Sequence, residues 1–298
     1  QAAAQADVPM KTSISIIAIM LLYSVFAGFK DSLGNTAHAE TLNIVITLAI
    51  TCTLVVPIAN LITLAAGAIV NAANFMLILV PVMAVLMISA GRAMSGGSYY
   101  TMMMAVCQGV SQLAAKVITP MLNIFLGLSV VSAAAPAVNI GGLTNRLGKI
   151  IKWCICFLMT IFTGVLSLKS MITGSADSVS SRVAKFSISS FVPLVGSSLS
   201  EAYQTVQGGV ALVKSGLGVV SIFSVAIMFL PVIIQCVIFL VTINLTKGIG
   251  DVLNFGEPLK LLDAVCTVLS TLLAIIFAIA AVFIISTAIT VMAGGGTQ

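Results

Sequence analysis

Residues 41–91, TLNIVITLAITCTLVVPIANLITLAAGAIVNAANFMLILVPVMAVLMISAG, contain no charged side chain. Crossing ~30 Å of hydrocarbon takes about 20 apolar residues in a helix. The run is therefore too long for one crossing and reads as two spans, 42–66 and 74–91. Pro57 and Pro81 lie inside them, and an Ala/Asn-rich join falls at Asn71, Ala72, Ala73 and Asn74. Lipid offers no partner to backbone N–H and C=O groups, so the runs must be helical.

The same reading extends outward. Further uncharged or nearly uncharged runs give candidate spans at 12–29, 117–135, 151–170, 215–246 and 264–292. The whole chain is 60% hydrophobic and 7% charged, whereas soluble domains carry about a quarter charged residues. A water-facing surface cannot be built from that supply, so the natural solvent, and the first partner, is the lipid bilayer. The fold class is all-α: a polytopic transmembrane helical bundle of about six to eight spans, forming a single membrane domain over residues 1–298. Pro57, Pro81, Pro193, Gly196 and Pro231 are expected to break helices. Residues 182–214 and 247–263 are amphipathic and fit interfacial or re-entrant segments. Tyr99, Tyr100 and Trp153 fall at span ends, where aromatic belts form.

The chain opens on Gln1, as a fragment or processed product does. Lys11, the apolar run to Phe29 and Ala37-His38-Ala39 imitate a secretory signal, but the run exceeds the usual ~7–15 residues and is expected to remain as a helix. Basic residues flank span 151–170 on both sides, so the positive-inside rule leaves orientation open.

The net charge is +5 without a basic run of the kind that binds nucleic acid. Anionic lipid headgroups suit it better. The six cysteines lie in or beside apolar stretches and form no disulfide framework. Enzyme chemistry finds no footing. His38 is the single histidine; Cys154 and Cys156 lack zinc partners; and Gly142…Gly148-Lys149 has the wrong spacing for a phosphate loop, with Ile150 where Ser or Thr would hold magnesium. No cofactor and no metal site are expected.

Charged groups among apolar neighbours are more informative, because each costs roughly 2.5–3.5 kcal/mol at a helix centre. Lys116, Glu201 and Lys214 are these groups. Either they snorkel to headgroup level or they line an aqueous path or pair across helices. Ser200, Gln204 and Gly208 lie near Glu201 on the helical wheel, forming a polar stripe suited to a pore wall, a subunit contact or a wet interfacial face. Small residues at four-residue spacing, Ala68/Ala72 and Ser270/Ala274/Ala278, allow close helix approach, within the chain or between copies. Val55-Val56-Pro57, Leu79-Val80-Pro81 and Ala105-Val106-Cys107 recur in order as Phe191-Val192-Pro193, Phe229-Leu230-Pro231 and Ala264-Val265-Cys266. Such Pro-interrupted halves point to a secondary transporter, although the spacings differ between the halves.

Residues 177–218, DSVSSRVAKFSISSFVPLVGSSLSEAYQTVQGGVALVKSGLG, resemble the most recognisable stretch of the stage III sporulation protein AE family. The resemblance lies in Arg182 with Lys185-Phe186, the turn Phe191-Val192-Pro193-Leu194-Val195-Gly196, Leu199-Ser200-Glu201-Ala202 followed by Thr205-Val206, and Val213-Lys214-Ser215 with Gly216 and Gly218. It implies a multi-pass subunit in the mother-cell membrane around the forespore of endospore-forming Firmicutes. It further implies a secretion-like complex joining the two cells, in which the subunit serves as a non-enzymatic channel or export gate. The implied partners are an ATPase-like cytoplasmic protein, ring-forming stage III proteins, stage II sporulation protein Q and further copies of the chain in a homo-oligomer. A secondary transporter and a membrane scaffold without a path remain the alternatives.

Overall fold

The computed structural model describes residues 2–31, 36–134, 196–253 and 257–295, with isolated positions between 146 and 164. Every described element is a helix: α1 (Ala2–Asp31), α2 (Thr36–Ser89), α3 (Ala93–Leu113), a π-helical segment (Ala114–Ile118), α4 (Thr119–Ala134), α5 (Gly196–Val252) and α6 (Glu257–Gly295). Five stretches are long and apolar enough to cross a membrane: Asp7–Val25, Ile44–Ser89, Ala93–Val131, Gly208–Val252 and Pro258–Ala288. The molecule is thus an all-α apolar helical protein. Most of the expected span 151–170 lies outside the described residues, as does Pro193.

The longest helices differ in one respect from the sequence expectation. α2 runs unbroken through Pro57, the Asn71–Asn74 region and Pro81, and α5 runs unbroken through Pro231. These prolines do not end their helices. Each removes one backbone donor and crowds one carbonyl, a local cost that the long apolar helix around it outweighs. The apolar part of α2, Ile44–Ser89, has 46 residues, about 69 Å at 1.5 Å per residue. It holds apolar length for two crossings in one helix. Its buried stripe explains the continuity: Ile58, Leu61, Ala65, Ile69, Ala72, Met76, Val80, Met83 and Met87 are buried at steps of three, four and four residues. That eleven-residue period keeps the stripe on one side, and Asn71 and Asn74 stay exposed beside it.

α5 buries a second stripe, Lys214, Gly218, Ser221, Val225, Phe229, Val232, Cys236, Phe239, Ile243, Thr246 and Gly250. Its steps alternate between four and three, the seam of knobs-into-holes packing, with one double step of four at Val225 to Phe229. Residues 196–214 are therefore the beginning of this helix and lead directly into its apolar span. Residues 247–263 comprise the end of α5, the connection and the start of α6. The polar seam members Ser221 and Thr246 donate to the carbonyls of Leu217 and Thr242 four residues back. That bond satisfies a hydroxyl inside an apolar helix. Thr51, Ser129, Thr271 and Thr287 do the same.

The chain divides into two units. The first comprises Gln1–Ala68, Ala114–Ile155 and Phe229–Phe277. Here a Cβ on Gly250 would lie 2.7 Å from Leu259 Cδ2 and 3.1 Å from Met20 Cε, and one on Gly148 would lie 3.3 Å from Phe125 Cζ. Lys247 pairs with Asp263 between α5 and α6. The π segment also belongs to this unit. Pro120 follows it, lacks an N–H and crowds the carbonyl four residues back; widening the turn relieves that crowding, and Thr119 Oγ1 donates to the Ala114 carbonyl at 2.8 Å.

The second unit comprises Ile69–Leu113, Cys156–Met228 and Ala278–Gln298. α2 ends here in a Schellman motif: Gly91 N–H donates to Ile88 O at 2.9 Å and Arg92 N–H to Met87 O at 3.0 Å, with Gly91 at φ 77°. Glycine takes that left-handed conformation without steric cost. α3 then returns along α2, and Gly96 permits the approach. A Cβ there would lie 2.9 Å from the Ala84 carbonyl oxygen and 2.8 Å from Ile88 Cγ1. Gly96→Leu should cost about 1–3 kcal/mol of stability by overpacking, read as a lower thermal midpoint in detergent. The neighbouring Gly97 meets nothing within 4 Å, so Gly97→Leu should leave the midpoint in place.

Candidate functional site

The polar positions of the sequence fall in two different settings. Ser200, Glu201 and Gln204 lie in the first turns of α5, and their side chains are outside the described set. Gly208 is exposed at the start of the apolar span. Lys116 is exposed in the π segment of the first unit. Lys214 is 2% exposed in the second unit. Along α5, Glu201 and Lys214 are 13 residues apart, about 20 Å at 1.5 Å per residue. Their side chains together reach less than that, so the structure does not join them within one chain.

Lys214 occupies a seam position that the α5 pattern otherwise gives to apolar or self-satisfied residues. Unlike Ser221 and Thr246, its ammonium cannot turn back to a carbonyl four residues away, because a lysine stem carries the charge away from its own turn. Its Nζ is buried without a hydrogen-bond partner among the described residues. The sequence carries the signal for this: the four-three spacing from Lys214 to Val225 marks the lysine as inward-facing.

Among the described residues no group of three or more His, Cys, Asp or Glu side chains is arranged to hold a metal ion. The remaining polar cluster is at the α5–α6 end of the first unit. There the Lys247–Asp263 pair is partly solvent-exposed and Cys266 Sγ lies 4.0 Å from Asn244 Oδ1. An exposed pair of this kind contributes about 0–1 kcal/mol, enough to register one helix end against the next and no more.

The family described as stage III sporulation protein AE matches residues 3–294. The chain belongs to this family. The stage III sporulation protein AE of Bacillus subtilis (strain 168) is 23% identical over 288 residues, which cover 95% of this chain and 72% of that protein. No solved structure matches. The match extends well beyond residues 177–218 and takes in all the described helices. This member of the AE family is accordingly an apolar helical protein with a sporulation-related role. The family's description is that of a sporulation protein and names no enzyme class.

Proposed function

We propose that this AE family member is a non-enzymatic channel or export-gate subunit of the sporulation secretion-like complex between mother cell and forespore. The observation that carries the reading is α5. The family-like polar segment holding Ser200, Glu201, Gln204 and Gly208 continues without interruption into the span Gly208–Val252. A polar stripe fused to a spanning helix is what a wall or a subunit contact of an aqueous path needs. The mother-cell membrane, an ATPase-like cytoplasmic partner, ring-forming stage III proteins, stage II sporulation protein Q and self-association belong to the same proposal. The secondary-transporter reading rests on broken helices at matched places. Pro57, Pro81 and Pro231 lie inside continuous helices, which withdraws that support.

A cryo-EM map of the chain in lipid tests the proposal. A symmetric oligomer with a polar axial lumen bordered by the first turns of α5 is expected. A monomer enclosing a midplane pocket between two related halves would replace this reading with the transporter. Topology supplies a second check. Cysteines placed at Ser189 and at Val210 are expected to react from the same side of the membrane, since the span begins at Gly208. Labelling of the two from opposite sides would reject that arrangement.

A further inference from the structure

We propose that the exposed face of α2 around Gly67 is a contact between two copies of this chain, held by hydrogen bonds among the amides of Asn60, Asn71 and Asn74. This contact is one form of the self-association in the proposed function and rests on that part of it alone. Asn60, Thr63, Gly67, Asn71 and Asn74 are all exposed and follow one another at steps of three, four, four and three. At about 100° per residue they share an arc of about 80°, opposite the buried stripe of Ile58, Ala65, Ile69 and Met76. The patch is about 21 Å long. Along the same face it is bounded by Val56, 62% exposed, and Ile78, 74% exposed, and beyond these by Val45 and Val85. The polar groups therefore form an island in an apolar face.

The amides of this island are unsatisfied. Asn244, exposed on α5, donates Nδ2 to the Leu240 carbonyl at 2.8 Å, and Thr63 Oγ1 donates to Ala59 O at 3.0 Å. Asn60, Asn71 and Asn74 make no such bond among the described residues. Their depth makes that costly. The midpoint of the apolar stretch Ile44–Ser89 falls beside Gly67, about 34 Å from either end, so a stretch centred on the bilayer holds the amides in hydrocarbon. Sliding them to the headgroups would bring one half out of lipid, with either Ile44, Val45, Leu48 and Val56 or Ile78, Val82, Val85 and Ile88, all exposed. Each of these side chains weighs about as much as an amide, and the emerging half carries four against three. Lipid tails offer neither donor nor acceptor, so the face needs a polar cover. An aqueous path would need polar positions out to the surface, and this face turns apolar at Val56 and Ile78. A second copy supplies the cover. An amide carries two donors and an acceptor, so the same residues on another α2 satisfy it, as polar side chains do between membrane helices. Copies inserted in the same orientation pair about an axis along the membrane normal; their α2 helices are then parallel, and each amide meets its counterpart at its own depth. Gly67 marks the crossing. A Cβ there would meet nothing within 4 Å, so the missing side chain makes no room for a described residue of its own chain, and it lets two backbones approach closely.

The test is energy transfer between donor-labelled and acceptor-labelled full chains in liposomes, followed as added lipid dilutes the protein. The wild type should associate, and Asn71→Leu should need about tenfold more protein per lipid, the equivalent of ~1.4 kcal/mol. Gly67→Ile should abolish the transfer and keep the wild-type circular dichroism, because the space beside it within the chain is open. Gly127→Ile, at another glycine whose Cβ would meet nothing within 4 Å, should associate like the wild type. With the six native cysteines replaced by alanine, Asn71→Cys oxidised with copper phenanthroline should give a disulfide-linked dimer, and Leu48→Cys, off this face, should not. Wild-type association in both Asn71→Leu and Gly67→Ile would overturn the pairing and leave the channel reading standing. A wild type that is monomeric at every dilution would end the pairing and the self-association together. Reaction of Asn71→Cys with a membrane-impermeant maleimide, without dimer, would assign the face to an aqueous path and overturn the pairing as well.

Discussion

Membranes carrying this chain, washed with alkaline or high-salt buffer, should retain all of it, and mild detergent should release it as a folded, monodisperse species. The expectation is all-or-none because the apolar surface is not confined to a patch. Ile14, Val56, Ile78, Val85, Phe223 and Ile227 are each well over half exposed, on α1, α2 and α5. Leaving six such side chains in water forgoes about 9–18 kcal/mol, at 1.5–3 kcal/mol each. The whole net stability of an ordinary domain is about 5–15 kcal/mol. Soluble monomers tolerate apolar patches of only a few hundred Å², and these helices present apolar side chains over successive turns. Circular dichroism and size exclusion of the aqueous fraction measure the outcome. A folded, monodisperse chain recovered there without detergent would refute the membrane assignment.

How far the fold could be read from residues depends on which signal was used. Absence of charge located most of the apolar helices, since 12–29, 41–91, 215–246 and 264–292 hold no charged residue. Polarity misplaced the divisions within them. Asn71 and Asn74 suggest a join, yet Ile69, Ala72, Met76 and Val80 continue the buried spacing straight past them. In a helix that long, two exposed amides cost less than ending and restarting the backbone hydrogen bonds inside an apolar run. Proline misled for the same reason at Pro57, Pro81 and Pro231, whereas Pro120 left a mark, the π turn before it. The candidate site was half legible. The seam spacing already turns Lys214 inward, but what packs against that side of α5, such as Val291 beside Gly218, comes from far along the chain. Contacts that distant leave no local pattern to read.

Replacing Glu201 by Gln should lower the yield of heat-resistant spores, in a sporulating host that depends on this chain, by about tenfold or more, while membrane levels of the protein stay unchanged. Tenfold is what losing ~1.4 kcal/mol from one interaction produces, and a hydrogen bond to a charged group is worth about 1.5–3 kcal/mol. The reasoning starts from position. Glu201 is in the second turn of α5, positions 201, 204 and 208 recur at three- and four-residue spacing, and the helix enters its apolar span at Gly208. On the proposed reading a carboxylate there serves an aqueous path or a second subunit, and both uses require the charge. Gln keeps the size and the hydrogen-bonding capacity and removes only the charge, so a loss with Gln separates electrostatics from packing. Lys116→Gln is the matched control, since Lys116 is exposed in the other unit and should change spore yield little. Normal yields from Glu201→Gln and from Glu201→Ala, at equal protein levels, would reduce Glu201 to a solvated interfacial charge and leave the channel reading without its polar wall.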